Sequence, residues 1–336
     1  MAVYTKLTKE EIVKHLEQNY KIGELQDFKE IVAGIDNSNF IITTSTVITS
    51  DAPQSRNKHQ KYILTIFESR INPEELPFFI DLKGHLSKKG VRCPAPILNN
   101  EGSSISDLKG KKSSIVTFLE GSMLEPRQDG YYDNITSKHC FEIGKTTAQM
   151  HLAAQDFDQK RENDIGVFGF KDLLGKFRHL MQDYQSGLLE KIDAKIDFLT
   201  TNWEKDLPSA PSHLDLFPDN VFFGDDQNLS GVIDFYFAAN DLMVYDLAVV
   251  VNAWCFDENN EFSQEKYQNM LKGYESKRKL SDAEKDFLKI ALAAASMRFL
   301  LTRLHDMFFT PKDSLVNVKN PAEYIKKLEF FTATAL

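Results

Sequence analysis

Three polar side chains lie in the runs Ser212-His213-Leu214-Asp215-Leu216-Phe217-Pro218-Asp219-Asn220-Val221 and Gly231-Val232-Ile233-Asp234-Phe235-Tyr236, and they have the types and spacing that phosphoryl transfer requires. Asp215 and Asn220 fit the pattern H-x-D-x-x-x-x-N, and Asp234 stands where a second metal-binding carboxylate is expected. The physical demand is a division of labour. One carboxylate must reach the hydroxyl that attacks, while an amide oxygen and a second carboxylate reach Mg²⁺ on the phosphates of ATP. Between them, Val221-Phe222-Phe223 and Leu229 to Ile233 are short apolar runs around Gly224-Asp225-Asp226-Gln227-Asn228, which is a hairpin signature. A hairpin returns the chain to its start, so Asp234 is expected beside Asn220. A lone Asp before a turn is more often a cap, but here the spacing, the hairpin and the closing Asp agree independently.

The elements that must position these groups read as two blocks. Thr8-Lys9-Glu10-Glu11 resembles a capping box opening a helix through about Asn19. Phe28 to Thr49 alternates and is β-branched, interrupted at Gly34-Ile35-Asp36-Asn37-Ser38-Asn39. Lys61 to Glu68 is a strand, Glu74 to Lys88 has helical periodicity, and Ser114 to Leu119 is a further strand that stops at Glu120-Gly121. From about Thr136 the pattern turns helical: His139 to Ala154, Phe170 to Tyr184, Leu188 to Asn202, Val244 to Trp254, Ser263 to Tyr274, Ala283 to Phe309 and Pro321 to Phe330. The reading is α+β and bilobal: a small antiparallel-sheet lobe over 1–120 that binds nucleotide, a hinge at Glu120-Gly121, and a larger, mainly helical catalytic lobe over 121–336.

Composition narrows the partners. At 336 residues the chain can hold two lobes, and 42% hydrophobic with 26% charged residues is ordinary for a folded soluble protein. A net charge of −9 argues against nucleic acid, and the basic spots at Lys109 to Lys112 and Lys277 to Lys279 read as solvated loops. Cys93, Cys140 and Cys255 are scattered without CxxC spacing, which suits a reducing compartment and offers no zinc site. The N-terminus has no signal-peptide apolar region and no run approaches transmembrane length, so a cytoplasmic protein without a membrane partner is expected.

The segment His213 to Trp254, with Gly231-Val232-Ile233-Asp234-Phe235-Tyr236-Phe237-Ala238 and Tyr245-Asp246-Leu247-Ala248, resembles the aminoglycoside phosphotransferase and choline kinase superfamily, and within it the bacterial homoserine kinases. Gly34 to Phe40, Tyr62 to Glu68, Glu75 to Phe79 and Arg298 to Phe308 extend the resemblance over nearly the whole chain. The resemblance implies a protein-kinase-like fold, ATP and Mg²⁺ as cofactors, and transfer of the γ-phosphoryl group to the hydroxyl of L-homoserine. The product would be O-phospho-L-homoserine, from which threonine is made. Asp215 would orient or deprotonate the hydroxyl, and Asn220 and Asp234 would hold the metal. Another small alcohol (choline, an aminoglycoside or a sugar) stays open as acceptor, as does a catalytically silent nucleotide-binding module. Monomer and homodimer are equally compatible.

On the nucleotide side, Asn37, Ser38 and Asn39 lie in the phosphate-covering turn, without a G-x-G-x-x-G pattern. Thr65 stands where kinases place a Lys, so it is expected to give phosphate a neutral hydrogen bond or to yield that role to a basic group from elsewhere. Adenine is expected on the backbone around Thr117 to Glu120, with Phe118 and Glu120 beside it. For the zwitterionic acceptor, Arg298 and Arg303 sit in a long apolar helix where a guanidinium is costly unless paired. A substrate carboxylate and an internal acid are the competing partners. The two arginines are five residues apart, about 140° around a helix, so only one is expected to face the acceptor. Tyr236, next to the metal carboxylate, has the best claim to the wall of the pocket; Asn240 is a further wall candidate, and Asn252 and Trp254 read equally as wall or as core and cap. His213 and Asp246 read as braces of the catalytic loop, and His151 as a packed histidine.

Overall fold

The computed structural model describes residues 5–31, 37–48, 56–68, 71–127, 131–311 and 318–333. The chain divides into two compact units, Met1–Glu120 and Gly121–Leu336. The first opens with α1 (Lys9–Asn19), whose N-cap Thr8 accepts from the Glu11 N–H while the Glu11 side chain accepts from Thr8 N–H. That reciprocal box satisfies two otherwise orphan donors. There follow β1 (Glu24–Ile31), β2 (Asn37–Ile48), β3 (Arg56–Phe67), α2 (Leu76–Lys88), β4 (Ser106–Leu108) and β5 (Lys111–Thr117). The strands form one sheet in the order β1-β2-β3-β5-β4, and every neighbouring pair is antiparallel. Its apolar face buries Phe40, Ile42, Leu64, Ile66 and Ile115 together with Ile12 and Leu16 of α1.

The second unit is mainly helical. It contains β6 (Ser122–Met123), α3 (Ser137–Ala154), α4 (Phe170–Phe177), α5 (Met181–Tyr184), α6 (Leu188–Thr201), β7 (Ser209–Ser212), β8 (Val221–Phe223), β9 (Leu229–Val232), β10 (Ala239–Leu242), α7 (Met243–Trp254), α8 (Gln264–Glu275), α9 (Asp282–Phe309) and α10 (Ala322–Ala333). The single helix expected over 170–184 is broken at Arg178–Leu180 by a tighter turn, which leaves both Phe177 and Met181 fully buried. No helix among the described residues is long and apolar enough to cross a membrane.

At its centre α7 meets α9. Residues 244 to 252 of α7 and 291 to 301 of α9 are buried throughout, and the run Ala293-Ala294-Ala295 lets the helices approach closely. The Ser296 hydroxyl of α9 donates to Asn252 Oδ1 at 2.7 Å, and Asn252 Nδ2 donates to the carbonyls of Ala248 and Leu292. Asn252 therefore ties helix to helix and is no part of a substrate wall.

The crossing of α3 and α8 is closer still. A methyl group added at Gly273 would run into the Phe141 carbonyl, and one at Gly144 into that of Met270. Neither obstacle is a side chain that can swing away. Gly273→Ala is therefore expected to lower unfolding stability by about 1–3 kcal/mol, the usual cost of overpacking a rigid contact. Urea unfolding checks this, and an unchanged midpoint would mean the helices separate at no cost.

Candidate active site

The hairpin is present. β8 pairs antiparallel with β9, Val221 opposite Val232, and the Ile233 N–H donates to the Asn220 carbonyl at 2.9 Å. Asn220 and Asp234 thus flank one end of a two-stranded ladder, as the spacing requires. Asp234 is exposed, with φ at +64°, a left-handed conformation uncommon outside glycine and worth a functional explanation.

Asp215 lies in the loop between β7 and a tight turn at Pro218–Asn220, and nearly every backbone group around it is held by a named side chain. Leu214 adopts φ +61°. Its N–H donates to Asp246 Oδ1 at 2.7 Å, and its carbonyl accepts from the Arg298 guanidinium. The Asp215 carbonyl accepts from Asn220 Nδ2 at 2.8 Å, and the Leu216 carbonyl from Trp254 Nε1 at 2.7 Å. A left-handed leucine costs free energy, and the persistence of that conformation is explained by this over-determination.

His213 has one available protonation. Its Nε2 faces the Ile233 carbonyl at 2.9 Å, and a carbonyl only accepts, so Nε2 carries the proton. Nδ1 is then the acceptor, and it takes the Asp215 N–H at 3.3 Å. Burial holds the imidazole below its usual value, against the pull of Asp246, so the ring is neutral at pH 7. Its role is to join the loop to the end of the hairpin.

Asp246, fully buried near the start of α7, is the hub. It also accepts from the His213 N–H at 3.4 Å and from His151 Nε2 at 2.8 Å. His151 Nδ1 faces the Tyr274 hydroxyl at 2.8 Å, Tyr274 accepts from Arg278 at 3.1 Å, and Arg278 pairs with Glu284 at 2.8 Å. A continuous polar chain thus runs from the first turn of α9 through α8 and α3 to the catalytic loop. Burial works to raise the Asp246 carboxyl, but His151, His213 and the Leu214 N–H together hold it below the ordinary value.

The Asp215 carboxyl is displaced in the other direction. Burial is the largest cause; Arg298 and Lys319 pull it down and the carboxylates of Asp234 and Asp219 push it up. The balance leaves it pushed up to about 7. A carboxylate in that range is a competent proton acceptor at neutral pH.

The donor set fits a hard cation. Asn220 turns its amide nitrogen onto the Asp215 carbonyl, which leaves its oxygen available to a cation, and Asp234 supplies an exposed carboxylate. Among the described residues no cluster of three or more His, Cys, Asp or Glu side chains forms a protein cage for a metal. One amide and one carboxylate completed by phosphate oxygens is the arrangement magnesium favours.

Two acceptor-side expectations change. Arg303 pairs with Glu323 at 2.5 Å and donates to the Asn320 carbonyl at 3.0 Å, so its charge is taken up within the chain. Arg298 is 1% exposed and points its guanidinium at the Leu214 carbonyl, with the Phe299 ring 4.7 Å away. It braces the loop through the Leu214 carbonyl. Its Nε has no hydrogen-bond partner among the described residues. Trp254, open between wall and core, is fully buried as the Leu216 brace. Asn240 accepts from the Arg161 N–H at 2.9 Å. Tyr236 stays beside the metal carboxylate: burial and the neighbouring Asp234 both raise its hydroxyl.

In the first unit, Asn37, Ser38 and Asn39 are strand residues, opening β2 opposite Phe67, Ile66 and Thr65. Residues 32–36, the remainder of the expected phosphate-covering turn, lie outside the described residues. The three side chains bond inward: Asn37 Oδ1 accepts from the Glu68 N–H at 3.3 Å, Ser38 donates to Glu68 at 2.7 Å, and Thr65 donates to Asn39 Oδ1 at 2.8 Å. Thr65 is 6% exposed, and its hydroxyl bond to Asn39 holds β3 to β2. Glu68 also pairs with Lys111, which is therefore no free solvated charge. Lys61 lies over the Phe118 ring at 5.3 Å, and Glu120 is exposed.

Comparison with known proteins places these features. Residues 27–280 match the model of the phosphotransferase enzyme family. The chain is 41% identical over 335 residues to a homoserine kinase of Agrobacterium fabrum (strain C58), covering 100% of this chain and 97% of that one. It is 40% identical over 330 residues to a homoserine kinase of Brucella canis, covering 98% and 94%. Among solved structures, amicoumacin kinase hAmiN in complex with AMP-PNP, Ca²⁺ and Ami aligns with a TM-score of 0.65 at 16% identity, covering 97% of this chain and 92% of that one. Spectinomycin phosphotransferase APH(9)-Ia aligns with the same score at 13% identity, covering 97% and 94%. These two likenesses establish a shared protein-kinase-like fold.

Proposed function

This chain belongs to the phosphotransferase enzyme family, and on that premise we propose that it transfers the γ-phosphoryl group of ATP to the side-chain hydroxyl of L-homoserine, releasing ADP and O-phospho-L-homoserine. The observation that carries the acceptor is the 41% identity to a homoserine kinase across the full chain.

The chemistry asked of the protein is positioning and charge stabilisation. Asp215 accepts the hydroxyl's hydrogen bond and aims its oxygen at the γ-phosphorus. As the new O–P bond forms and the bond to the ADP oxygen breaks, Asp215 takes the proton and later returns it to solvent. Asn220 and Asp234 would hold Mg²⁺, which when bound would neutralise the charge developing on the phosphates. On the first unit, adenine is assigned to the backbone of 117–120 with Phe118 and Glu120 beside it. The phosphates are assigned to Asn37, Ser38 and Asn39 at the start of β2, which the hydrogen bond from Thr65 to Asn39 ties to β3. We assign the enzyme to the cytoplasm, as a monomer or homodimer.

A coupled assay of ADP release tests the acceptor. Turnover with L-homoserine is expected to exceed that with choline, aminoglycosides and sugars by about 10³-fold or more in kcat/KM, since a site built to pair polar groups rejects molecules lacking them. No turnover with homoserine would overturn the assignment.

A further inference from the structure

Asp219 and Lys319 face one another beside the catalytic loop, with Nζ 3.7 Å from Oδ2 and each side chain about half exposed. The Lys319 ammonium also lies 5.4 Å from the centre of the Phe217 ring. Both charges are close enough to act on the Asp215 carboxyl, and Asp219 acts on the half-buried Tyr132 as well.

Lys319 arrives from far along the chain and is held in place. Its neighbour Asn320 gives its carbonyl to Arg303 at 3.0 Å and its side chain to the Ala322 N–H at 2.9 Å. Arg303 is anchored in turn by Glu323. The ion pairs at the start of α10 thus fix a short segment whose outward cation meets the loop carrying Asp215.

An exposed ion pair contributes little to stability, so folding alone gives a weak account of so anchored a lysine. Its geometry matches a different demand. An anion and a cation side by side are the complement of the adjacent ammonium and carboxylate of a free α-amino acid. We propose that Asp219 and Lys319 form the head-group site of the acceptor: the substrate ammonium pairs with Asp219, its carboxylate with Lys319, and the hydroxyl arm lies along Phe217 toward Asp215. This rests on the homoserine reading and deepens it. The substrate inserts its own two charges between the pair, so each of the two side chains keeps an opposite charge beside it. The arm from Cα to the hydroxyl oxygen spans three bonds, about 4 Å, a short reach that suits a head-group site next to the catalytic carboxylate. The exposed Lys319, and neither buried arginine, is then the partner of the substrate carboxylate.

The test compares Lys319→Met, Asp219→Asn and Lys319→Arg with the wild type, using acceptors that each lack one charge. In Lys319→Met the KM for L-homoserine is expected to rise about tenfold or more, the loss of one charge-assisted contact, with a smaller change in kcat and none in the KM for ATP. 3-Amino-1-propanol, which has no carboxylate, read as substrate or competitor, should be insensitive to Lys319→Met and weakened by Asp219→Asn. 4-Hydroxybutyrate, which has no ammonium, should show the reverse, and Lys319→Arg should retain homoserine affinity. Unchanged homoserine KM in both neutral variants, or an equal loss with all three acceptors, overturns the proposal. Absence of wild-type turnover with homoserine would instead overturn the reading on which it rests.

Discussion

Asp215→Asn is expected to lower turnover by about 10²- to 10⁴-fold, the usual contribution of a positioned general base, and at the same time to make the protein harder to unfold. The two effects have one origin. The Asp215 carboxyl is pushed up to about 7 in the folded chain, from 3.8 when unconstrained. A carboxyl raised by folding binds protons more tightly in the folded state, so its contribution becomes unfavourable as pH rises from about 4 to about 7. At 1.36 kcal/mol per pH unit the full displacement corresponds to roughly 4 kcal/mol, and screening at a partly exposed carboxyl reduces this to about 1–3 kcal/mol. An amide has no charge to bury. Urea unfolding without metal should therefore find Asp215→Asn more stable than wild type, by more at pH 8 than at pH 5. MgATP binding, followed by calorimetry, should be largely retained. A variant that loses nucleotide binding, or gains stability equally at both pH values, would contradict the role given to this carboxyl.

Asp246→Ala should behave in the opposite way. Its carboxylate is buried and accepts from Leu214, His213 and His151, so truncation leaves those donors unpaired in the interior. Breaking such a buried arrangement costs about 3–5 kcal/mol, and the left-handed Leu214 loses its main restraint. Both stability and turnover should fall, the second with little change in the KM for ATP. The sign of the pH effect is reversed as well. The Asp246 carboxyl lies below its unfolded value, so its stabilisation is complete at neutral pH and is lost as pH falls below about 4 and through the folded value. Wild type and variant should therefore converge in acid. A variant that unfolds at the wild-type urea concentration would show the hub to be dispensable.

Legibility in the sequence followed chain distance. The approach of Asn220 and Asp234 could be read because one hairpin joins them and a turn signature is local. The start of α1 was visible because its cap is local, Thr8 closing a capping box, whereas the equivalent box at Ser281 emerged only from the structure. Asp246 was readable as a brace from its place after the hairpin, but its link to Tyr274 through His151 was not, since nothing in either helix marks a partner on the other. Asn37 to Asn39 looked like a turn because small polar residues favour turns. Pairing with Thr65 to Phe67 overrode that weak local preference by giving their backbone groups partners. Lys319 was invisible for a related reason. An isolated lysine in a polar stretch has the signature of solvated surface, and only the fold reveals that Asp219 stands opposite.

The polar chain from Glu284 to Leu214 draws on α9, α8, α3 and α7, with no member supplied by the catalytic loop's own neighbours in sequence. Bonds within the loop hold Asp215, but the left-handed Leu214 is held from outside it, by Asp246 and Arg298. Catalytic competence in this unit therefore depends on helices far apart in sequence: a form in which one of them is undocked would hold the right residues in the right order without the full restraint on Leu214.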